Sequence, residues 1–297
     1  MSPSRYGFAP ELHLAELKAV LAELDGDGAI SSADLDRAIR RHPKADGSVF
    51  SKSELIRGHR WLVASSALDQ DTGRFAARLR KKPTRTLSGV ATVSVLTQPW
   101  PCPGRCVFCP NDVRMPKSYV SSEPGCQRAA QHAFDPYLQT WFRLRALDNI
   151  GHRTGKIELI VLGGTWSFYP EAYQVWFIRR CFEAMNEFGT RPDPAAILPD
   201  LAPDFTAISA PERETEGGYN RAVQSFLRRQ PGGGLPAEVG PPGDGARADW
   251  ASLEGAHRGN ETSAVRCVGL ALETRPDHLD EAEVLRLRRL GATKVQI

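Results

Sequence analysis

Three cysteines lie close together in one Pro- and Gly-containing stretch, QPWPCPGRCVFCPND, at residues 98–112. Cys102, Cys106 and Cys109 form the pattern C-x3-C-x2-C. Thiolates are soft ligands for iron-sulfur clusters and zinc, and both centres take four ligands. If the three thiolates held three irons of a [4Fe-4S] cluster, the fourth iron would be open to a small molecule. A structural zinc completed by His132 or Cys126 is the alternative.

The spacing, with the aromatic Phe108 before the last cysteine, resembles the cluster loop of radical S-adenosylmethionine (SAM) enzymes. SAM bound at the open iron through its amino and carboxylate groups would have its sulfonium near the cluster. One electron could then break a carbon-sulfur bond and release a 5′-deoxyadenosyl radical. We therefore predict a [4Fe-4S] cluster and SAM as cofactors.

Two short polar or glycine-rich segments follow predicted strands elsewhere in the chain. VLGGT includes Gly163 and Gly164, whose missing side chains would let a ligand approach the backbone, although a plain glycine turn has the same sequence. ETRPD includes Glu273 and Arg275. The carboxylate can accept hydrogen bonds from ribose or an amine, and the guanidinium can bind a carboxylate or phosphate with two bonds. Alternatively, these two side chains pair with each other.

The elements that would position these groups are strands alternating with helices, from about residue 86 onward. The strands are predicted in TLSGVATVSVLT, IELIVLGG, VRCVGLALE and TKVQI. Nearly continuous apolar runs of this kind are typical of buried parallel strands. Apolar stripes at helical spacing fill the gaps and end at Gly151, Gly189 and Gly291. The order β-α-β-α-β-α-β predicts an α/β fold with a parallel sheet or barrel, whose chemistry collects at the carboxyl ends of the strands.

The first part of the chain, residues 1–85, is predicted to be a small helical domain. Its leucines recur at helical spacing in PELHLAELKAVLAEL, and Ser51 with Glu54 forms a capping-box pattern. ELDGDGAISSADL resembles half of a calcium loop, but Glu23 and Asp34 are the wrong acids at its first and last ligand positions. An Asp/Gly turn followed by a Ser N-cap is favoured instead.

Composition narrows the class of protein. The chain has 297 residues, of which 41% are hydrophobic and 25% charged, as in ordinary soluble globular proteins. No basic segment with an apolar run opens the chain, and no apolar run is long enough for a membrane span, so we predict a cytoplasmic protein. The scattered Cys126, Cys181 and Cys267 are predicted to be buried thiols.

The core domain is predicted over residues 86–297, with an insertion at about 229–248. QPGGGLPAEVGPPGDGAR is rich in Gly and Pro and poor in large apolar residues, so we expect a mobile surface segment.

Several long segments, in order, resemble the catalytic subunit of the Elongator complex in its stand-alone form. The resemblance extends from about Arg40 to Ile297, apart from the insertion. The segments are HPKADGSVFSKSEL, KKPTRTLSGVATVSVLT, CPGRCVFCP, MPKSY, FDP, GHRTGKIELIVLGGTW, NETSAVRCVGLALETRPD and GATKVQI.

The resemblance implies a radical-SAM (TIM-like) barrel, incomplete at its C-terminus, and an enzyme that makes 5-carboxymethyluridine at the wobble position of tRNA from acetyl-CoA. It assigns the cluster to the three cysteines of the loop. It assigns the SAM pocket to Gly163, Gly164, Thr165, Glu273 and Arg275, with Lys117 as a weaker candidate. Lys156 corresponds to a lysine that contacts acetyl-CoA. The resemblance does not identify the base that hydrolyses the thioester, and it leaves open whether the chain forms a homodimer.

Two further expectations concern the substrate and the chain end. Basic residues cluster in the helical domain, which suits tRNA phosphates, although solvated helix faces give the same pattern. They are Arg37, Arg40, Arg41, Lys44, Lys52, Arg57, Arg60, Arg74, Arg78, Arg80, Lys81, Lys82 and Arg85. Because family members continue into a longer barrel and an acetyltransferase-like domain, this polypeptide alone is expected not to complete the reaction. A radical-SAM enzyme on another substrate and a zinc-dependent RNA-binding module are the competing hypotheses.

Overall fold

The computed structural model describes residues 8–68, 74–80, 83–104, 106–192, 194, 218–240 and 247–297. The chain divides into two compact units. The first comprises residues 1–89 and 145–154, and the second comprises residues 90–144 and 155–297.

The first unit is helical, as predicted. Its α-helices are α1 (Leu14–Glu23), α2 (Ser32–Arg41), α3 (Lys52–Ala64) and α4 (Arg74–Leu79), with 3-10 turns at Pro10–His13 and Pro83–Thr86. The leucine pattern of α1 and α3 places Leu17, Leu55 and Leu62 in one core, where all three are fully buried. Burial of these side chains is the main favourable contribution to the stability of the unit.

Both predicted helix starts in this unit are confirmed. Ser51 Oγ accepts from the Glu54 N–H, and Glu54 Oε2 accepts from the Ser51 N–H over 2.7 Å, which completes the capping box. Ser31 caps α2 through the Asp34 N–H. Glu23 pairs with Arg41 and His42, and the Ser N-cap predicted after the Asp/Gly turn is present at Ser31.

The second unit contains a sheet of four parallel strands in the described residues. The strands are β1 (Ala91–Leu96), β2 (Lys156–Leu162), β3 (Arg266–Glu273) and β4 (Lys294–Gln296), paired in chain order. The register aligns Val95 with Val161, and Leu272 with Val295. These pairings confirm the α/β class and the parallel sheet, and the consecutive strand order is that of the first strands of a β/α barrel.

Helices connect the strands of this sheet. They are α5 (Pro124–Gln131), α6 (Pro136–Asn149, whose last five residues belong to the first unit), α7 (Glu171–Glu187), α8 (Gly218–Arg229), α9 (Trp250–Asn260) and α10 (Glu281–Arg289). Gly291 follows α10 with a φ of 95°, the left-handed conformation that ends a helix most readily at glycine. None of the helices in the described parts of the chain is both long and apolar enough to span a bilayer.

The Gly/Pro-rich segment expected to be a surface insertion is partly buried where the structure describes it. A 3-10 turn at Pro231–Gly234 leads into Leu235 and Val239, which are 5% and 2% exposed. Gln98 Nε2 also donates to the Gly234 carbonyl over 2.9 Å. The segment has few large apolar residues, but these two are in the core, and composition alone did not indicate this. Residues 241–246 lie outside the described residues.

Candidate active site

The cysteine loop follows β1 and borders a cavity of about 920 Å³. All three cysteines of the C-x3-C-x2-C pattern line it. The other lining residues come from the same loop, from the segment after β2 and from α8; they are Pro101, Pro103, Gly104, Val107, Asn111, Lys117, Phe168, Tyr219, Asn220 and Gln224. The loop and the cavity therefore lie where a parallel α/β fold collects its chemistry.

Each sulfur of the loop contacts a different polar side chain. Cys102 Sγ lies 3.5 Å from Thr165 Oγ1, and Cys109 Sγ lies 3.2 Å from Ser118 Oγ. Arg275 Nη1 donates to Cys106 Sγ over 2.8 Å. Thr165 follows β2 and Arg275 follows β3, so the structure brings these two predicted residues to the cysteine loop.

Glu273 and Arg275 do not pair with each other. Arg275 makes two bonds with Asp277, 2.9 Å from Nε and 2.6 Å from Nη2, and these bonds hold the pKa of Asp277 below its usual value. Glu273 Oε2 instead accepts from the Tyr119 hydroxyl over 2.7 Å. Burial and this bond raise the pKa of Tyr119 well above its usual value, so Tyr119 stays a donor. Two separate contacts thus orient the two residues.

The two glycines after β2 differ in their surroundings. Gly163 has a φ of 131°, and a Cβ there would lie 2.1 Å from Thr97 Oγ1. The fold itself therefore requires glycine at this position, which supports the glycine-turn interpretation. Gly164 has a φ of 52°, but a Cβ there would meet nothing closer than 3.7 Å. Its N–H donates to the Lys117 carbonyl over 3.0 Å, so Gly164 lies beside a cavity-lining segment.

The two predicted lysines lie at opposite ends of the sheet. Lys117 lines the cavity, where its ammonium binds Asn111 Oδ1 and lies 4.9 Å from the centroid of the Tyr219 ring. Lys156 is exposed and opens β2, beside Arg266 at the start of β3. Because a strand rises about 3.3 Å per residue, the length of β2 separates Lys156 from the cavity by roughly 20 Å. The structure does not bring Lys156 to the cysteines.

The donor set agrees with a cluster in type and location, but the sulfurs are not grouped in this structure. Among the described residues, no three His, Cys, Asp or Glu side chains are grouped to hold a metal ion. Three thiols on one loop and one cavity remain the donor chemistry of an iron-sulfur site. Cys102, Cys106 and Cys109 are therefore the residues that would hold such a cluster.

The proposed fourth zinc ligands are not at this cavity. Cys126 is fully buried in the core, and burial raises the pKa of its thiol to about 12. The ring of His132 stacks on Phe142 at 4.6 Å. Cys181 is also fully buried and Cys267 is half-buried, and burial raises the pKa of Cys267 to about 11. The prediction of buried thiols is thus confirmed for Cys126 and Cys181.

The sequence reasoning missed α8, which supplies Tyr219, Asn220 and Gln224 to the cavity. The sequence does contain a signal for this helix. Its buried residues follow the i, i+3, i+4, i+7, i+8 spacing of an amphipathic helix; they are Tyr219, Ala222, Val223, Phe226 and Leu227.

Comparison with known proteins gives consistent relatives. No family model matches the sequence. A tRNA uridine(34) acetyltransferase from Methanocaldococcus infernus is 37% identical over 225 residues, which is 74% of this chain and 31% of the relative. Elongator complex protein 3 from Homo sapiens is 39% identical over 231 residues, again 74% of this chain and 31% of the relative. Over the matched residues, the chain belongs to the family of the Elongator catalytic subunit.

The match to this family covers part of each relative. The chain spans about a third of the length of the curated Elongator-family proteins it matches, between 31% and 37% for the first three. A solved structure of Methanocaldococcus infernus Elp3 with residues 1–46 deleted covers 70% of this chain and 28% of its own at 29% identity, with a TM-score of 0.37.

Proposed function

We propose that this chain is the radical-SAM part of an enzyme that modifies the wobble uridine of tRNA, forming 5-carboxymethyluridine from acetyl-CoA. The observation that carries the proposal is that all three cysteines of a C-x3-C-x2-C loop line one cavity after the first strand of a parallel sheet. The relatives named tRNA uridine(34) acetyltransferase support the choice of substrate.

In this proposal Cys102, Cys106 and Cys109 would hold a [4Fe-4S] cluster. When bound together with SAM, that cluster supplies the electron that gives a 5′-deoxyadenosyl radical. Asp277 keeps the guanidinium of Arg275 oriented toward the loop, beside Cys106. A guanidinium in this position could bind a carboxylate or a phosphate.

The other residues near the loop would bind and orient SAM. Glu273, held by Tyr119, presents a carboxylate that can accept from an amine or a ribose hydroxyl. Lys117 and the backbone at Gly164 supply further polar groups. Val107 and Phe108 are 92% and 99% exposed and can cover a ligand, which would exclude water from a reactive site. We assign Lys156 to acetyl-CoA, at a position separate from this cavity.

The proposed tRNA surface is the basic part of the first unit. Several of its cations form ion pairs within the fold, which leaves fewer of them to bind phosphates. Arg37, Arg41 and Lys44 form ion pairs with Asp34, Glu23 and Glu54 at 3.1, 2.8 and 2.9 Å. Arg40 and Arg85 are exposed. Lys81 and Lys82 lie outside the described residues. We assign phosphate binding to the exposed Arg40 and Arg85 and, from the sequence alone, to Lys81 and Lys82.

Anaerobic reconstitution tests the cofactor assignment. The chain should become brown, with about four irons per polypeptide, and should cleave SAM when dithionite is added. The triple variant Cys102→Ala/Cys106→Ala/Cys109→Ala should bind no cluster. Cys267→Ala, which removes a half-buried thiol outside the cavity, is the matched control and should load normally.

Two results would count against the proposal. One colourless zinc per chain would favour the RNA-binding module, and a cluster that forms equally well without the three loop cysteines would remove the assigned site.

A further inference from the structure

The side chain of Asn220 binds the backbone of Cys102 in both directions. The Cys102 N–H donates to Asn220 Oδ1 over 2.9 Å, and Asn220 Nδ2 donates to the Cys102 carbonyl over 2.7 Å. Both lengths are typical of well-formed N–H···O bonds. A side-chain amide that satisfies both backbone groups of one residue fixes the two peptide planes on either side of it. Cys102 is the first cysteine of the loop and is 7% exposed.

A second residue of α8 binds the loop beyond the last cysteine. The Tyr219 hydroxyl donates to the Met115 carbonyl over 2.9 Å, and its ring lies below the ammonium of Lys117. Tyr219 is 2% exposed, so this contact is made inside the fold. Two adjacent residues of α8 therefore hold the cysteine-containing segment, one at its first cysteine and the other beyond its last cysteine.

The helix that makes these contacts is itself anchored in the core. Ala222, Val223, Phe226 and Leu227 are buried in a cluster that also contains Leu96 at the end of β1. The strand that leads into the loop and the helix that holds the loop thus share one core. Ligand-positioning side chains on such packed elements are placed more accurately than those on loops.

We propose that Asn220 is a positioning residue that sets the conformation of Cys102 before any metal binds. The segment around Cys102 is CPGRC preceded by a proline, with Gly104 two residues later, so its sequence does not define a helix or a strand. The two bonds from Asn220 supply the order that this local sequence lacks. What the loop then binds rests on the proposed function, whereas the contact itself is a property of the metal-free chain.

The test uses the metal-free 297-residue chain and compares Asn220→Ala with the unaltered protein. Hydrogen exchange at the Cys102 amide should be about tenfold faster, because the protecting acceptor is lost. Alkylation of Cys102 by iodoacetamide should also be faster, while the buried Cys126 and Cys181 keep their rates. Arg221→Ala is the matched control, since Arg221 is the exposed neighbour of Asn220 on the same helix, and it should change neither rate.

Asn220→Asp adds a readout that a general structural role would not give. The new side chain keeps the acceptor for the Cys102 N–H but places a carboxylate against the Cys102 carbonyl. Exchange at the Cys102 amide should therefore be slower in Asn220→Asp than in Asn220→Ala, whereas alkylation of Cys102 should be faster than in the unaltered protein because the contact to the carbonyl is lost.

The outcomes separate this proposal from the proposed function. Unchanged Cys102 exchange and alkylation in Asn220→Ala, or an equal change in Arg221→Ala, would overturn it. If Asn220→Ala does not fold, the nearly isosteric Asn220→Asp decides, because unchanged alkylation of Cys102 in that variant would also overturn the proposal. In reconstitution, Asn220→Ala should take up iron more slowly than Arg221→Ala. If the unaltered chain takes up no iron at all, the proposed function fails, but the exchange measurement still tests the contact.

Discussion

At the scale of single residues, the site depends on contacts that residue types alone do not specify. The sequence identified Gly163 as a place for a ligand, whereas the structure gives a reason for glycine that needs no ligand, the close approach of Thr97. It left open whether Glu273 and Arg275 pair with each other, and the structure gives each a different partner, Tyr119 or Asp277. These contacts join residues more than 60 positions apart or depend on side-chain rotamers, so no local pattern could have predicted them.

The first prediction concerns the two glycines after β2. Gly163→Ala should destabilise the chain by roughly 2–3 kcal/mol, because the new Cβ meets Thr97 Oγ1 and the φ of 131° is strained for alanine. Gly164→Ala meets no close atom and should cost about 1 kcal/mol. Urea denaturation measures both free energies of unfolding.

The control for this pair is a double-mutant cycle with Thr97→Ala, which removes the oxygen that Gly163→Ala would meet. In the double variant, the loss of stability caused by the clash with Thr97 Oγ1 should disappear. The loss caused by the strained φ of residue 163 should remain. Purely additive effects would show that Thr97 does not contact position 163.

The second prediction concerns pH. Burial, and then the charge of Arg128, lower the pKa of His132 to about 4 in the folded chain. An unfolded histidine titrates near about 6.5, so between these values the unfolded state binds the extra proton and stability falls as the pH falls. At pH 5 the effect of this one group is up to about 2 kcal/mol.

His132→Phe keeps a ring to stack on Phe142 and removes the titrating group. Its free energy of unfolding should therefore change less between pH 7 and pH 5 than that of the unaltered chain. Burial also lowers the pKa of His257, so some slope should remain. An identical pH slope in the two proteins would contradict the assignment to His132.

At the scale of elements, the sequence predicted well where periodicity and caps were strong. All four strands, the stops at glycine and the capping box at Ser51 are present. Helix α8 was not predicted although it is amphipathic. The burial of Leu235 and Val239 could not be predicted, because it depends on where the folded core leaves space for further apolar side chains.

The third prediction belongs to α3. Ser51→Ala should reduce stability by about 1 kcal/mol, because the Glu54 N–H loses its acceptor. Ser51→Thr keeps the hydroxyl and should reduce stability by a few tenths of a kcal/mol. Thermal and urea unfolding of the two variants measure the difference. If both variants lose the same stability, the hydroxyl makes no contribution as a cap.

At the scale of the whole molecule, the formal charge of +3 says little about a nucleic-acid partner, because many cations are paired within the fold. Sequence counting treated all basic residues of residues 1–85 as equivalent. Among the described residues, the structure separates cations that pair with carboxylates, such as Arg37 and Arg41, from exposed cations such as Arg40 and Arg85, and this separation depends on helix packing that composition does not encode. Only unpaired cations are expected to release counterions from RNA phosphates.

The last prediction compares two triple substitutions that remove the same charge. Lys81→Gln/Lys82→Gln/Arg85→Gln should weaken tRNA binding and reduce the slope of log K against log salt by about two to three, since each phosphate contact contributes about 0.7–0.9. Arg37→Gln/Arg41→Gln/Arg60→Gln removes three cations that bind Asp34, Glu23 and Asp148, and should reduce the slope by less than about one. Filter binding of tRNA over a range of salt concentrations measures both slopes. Equal reductions would mean that total charge, rather than a local phosphate-binding surface, determines tRNA affinity.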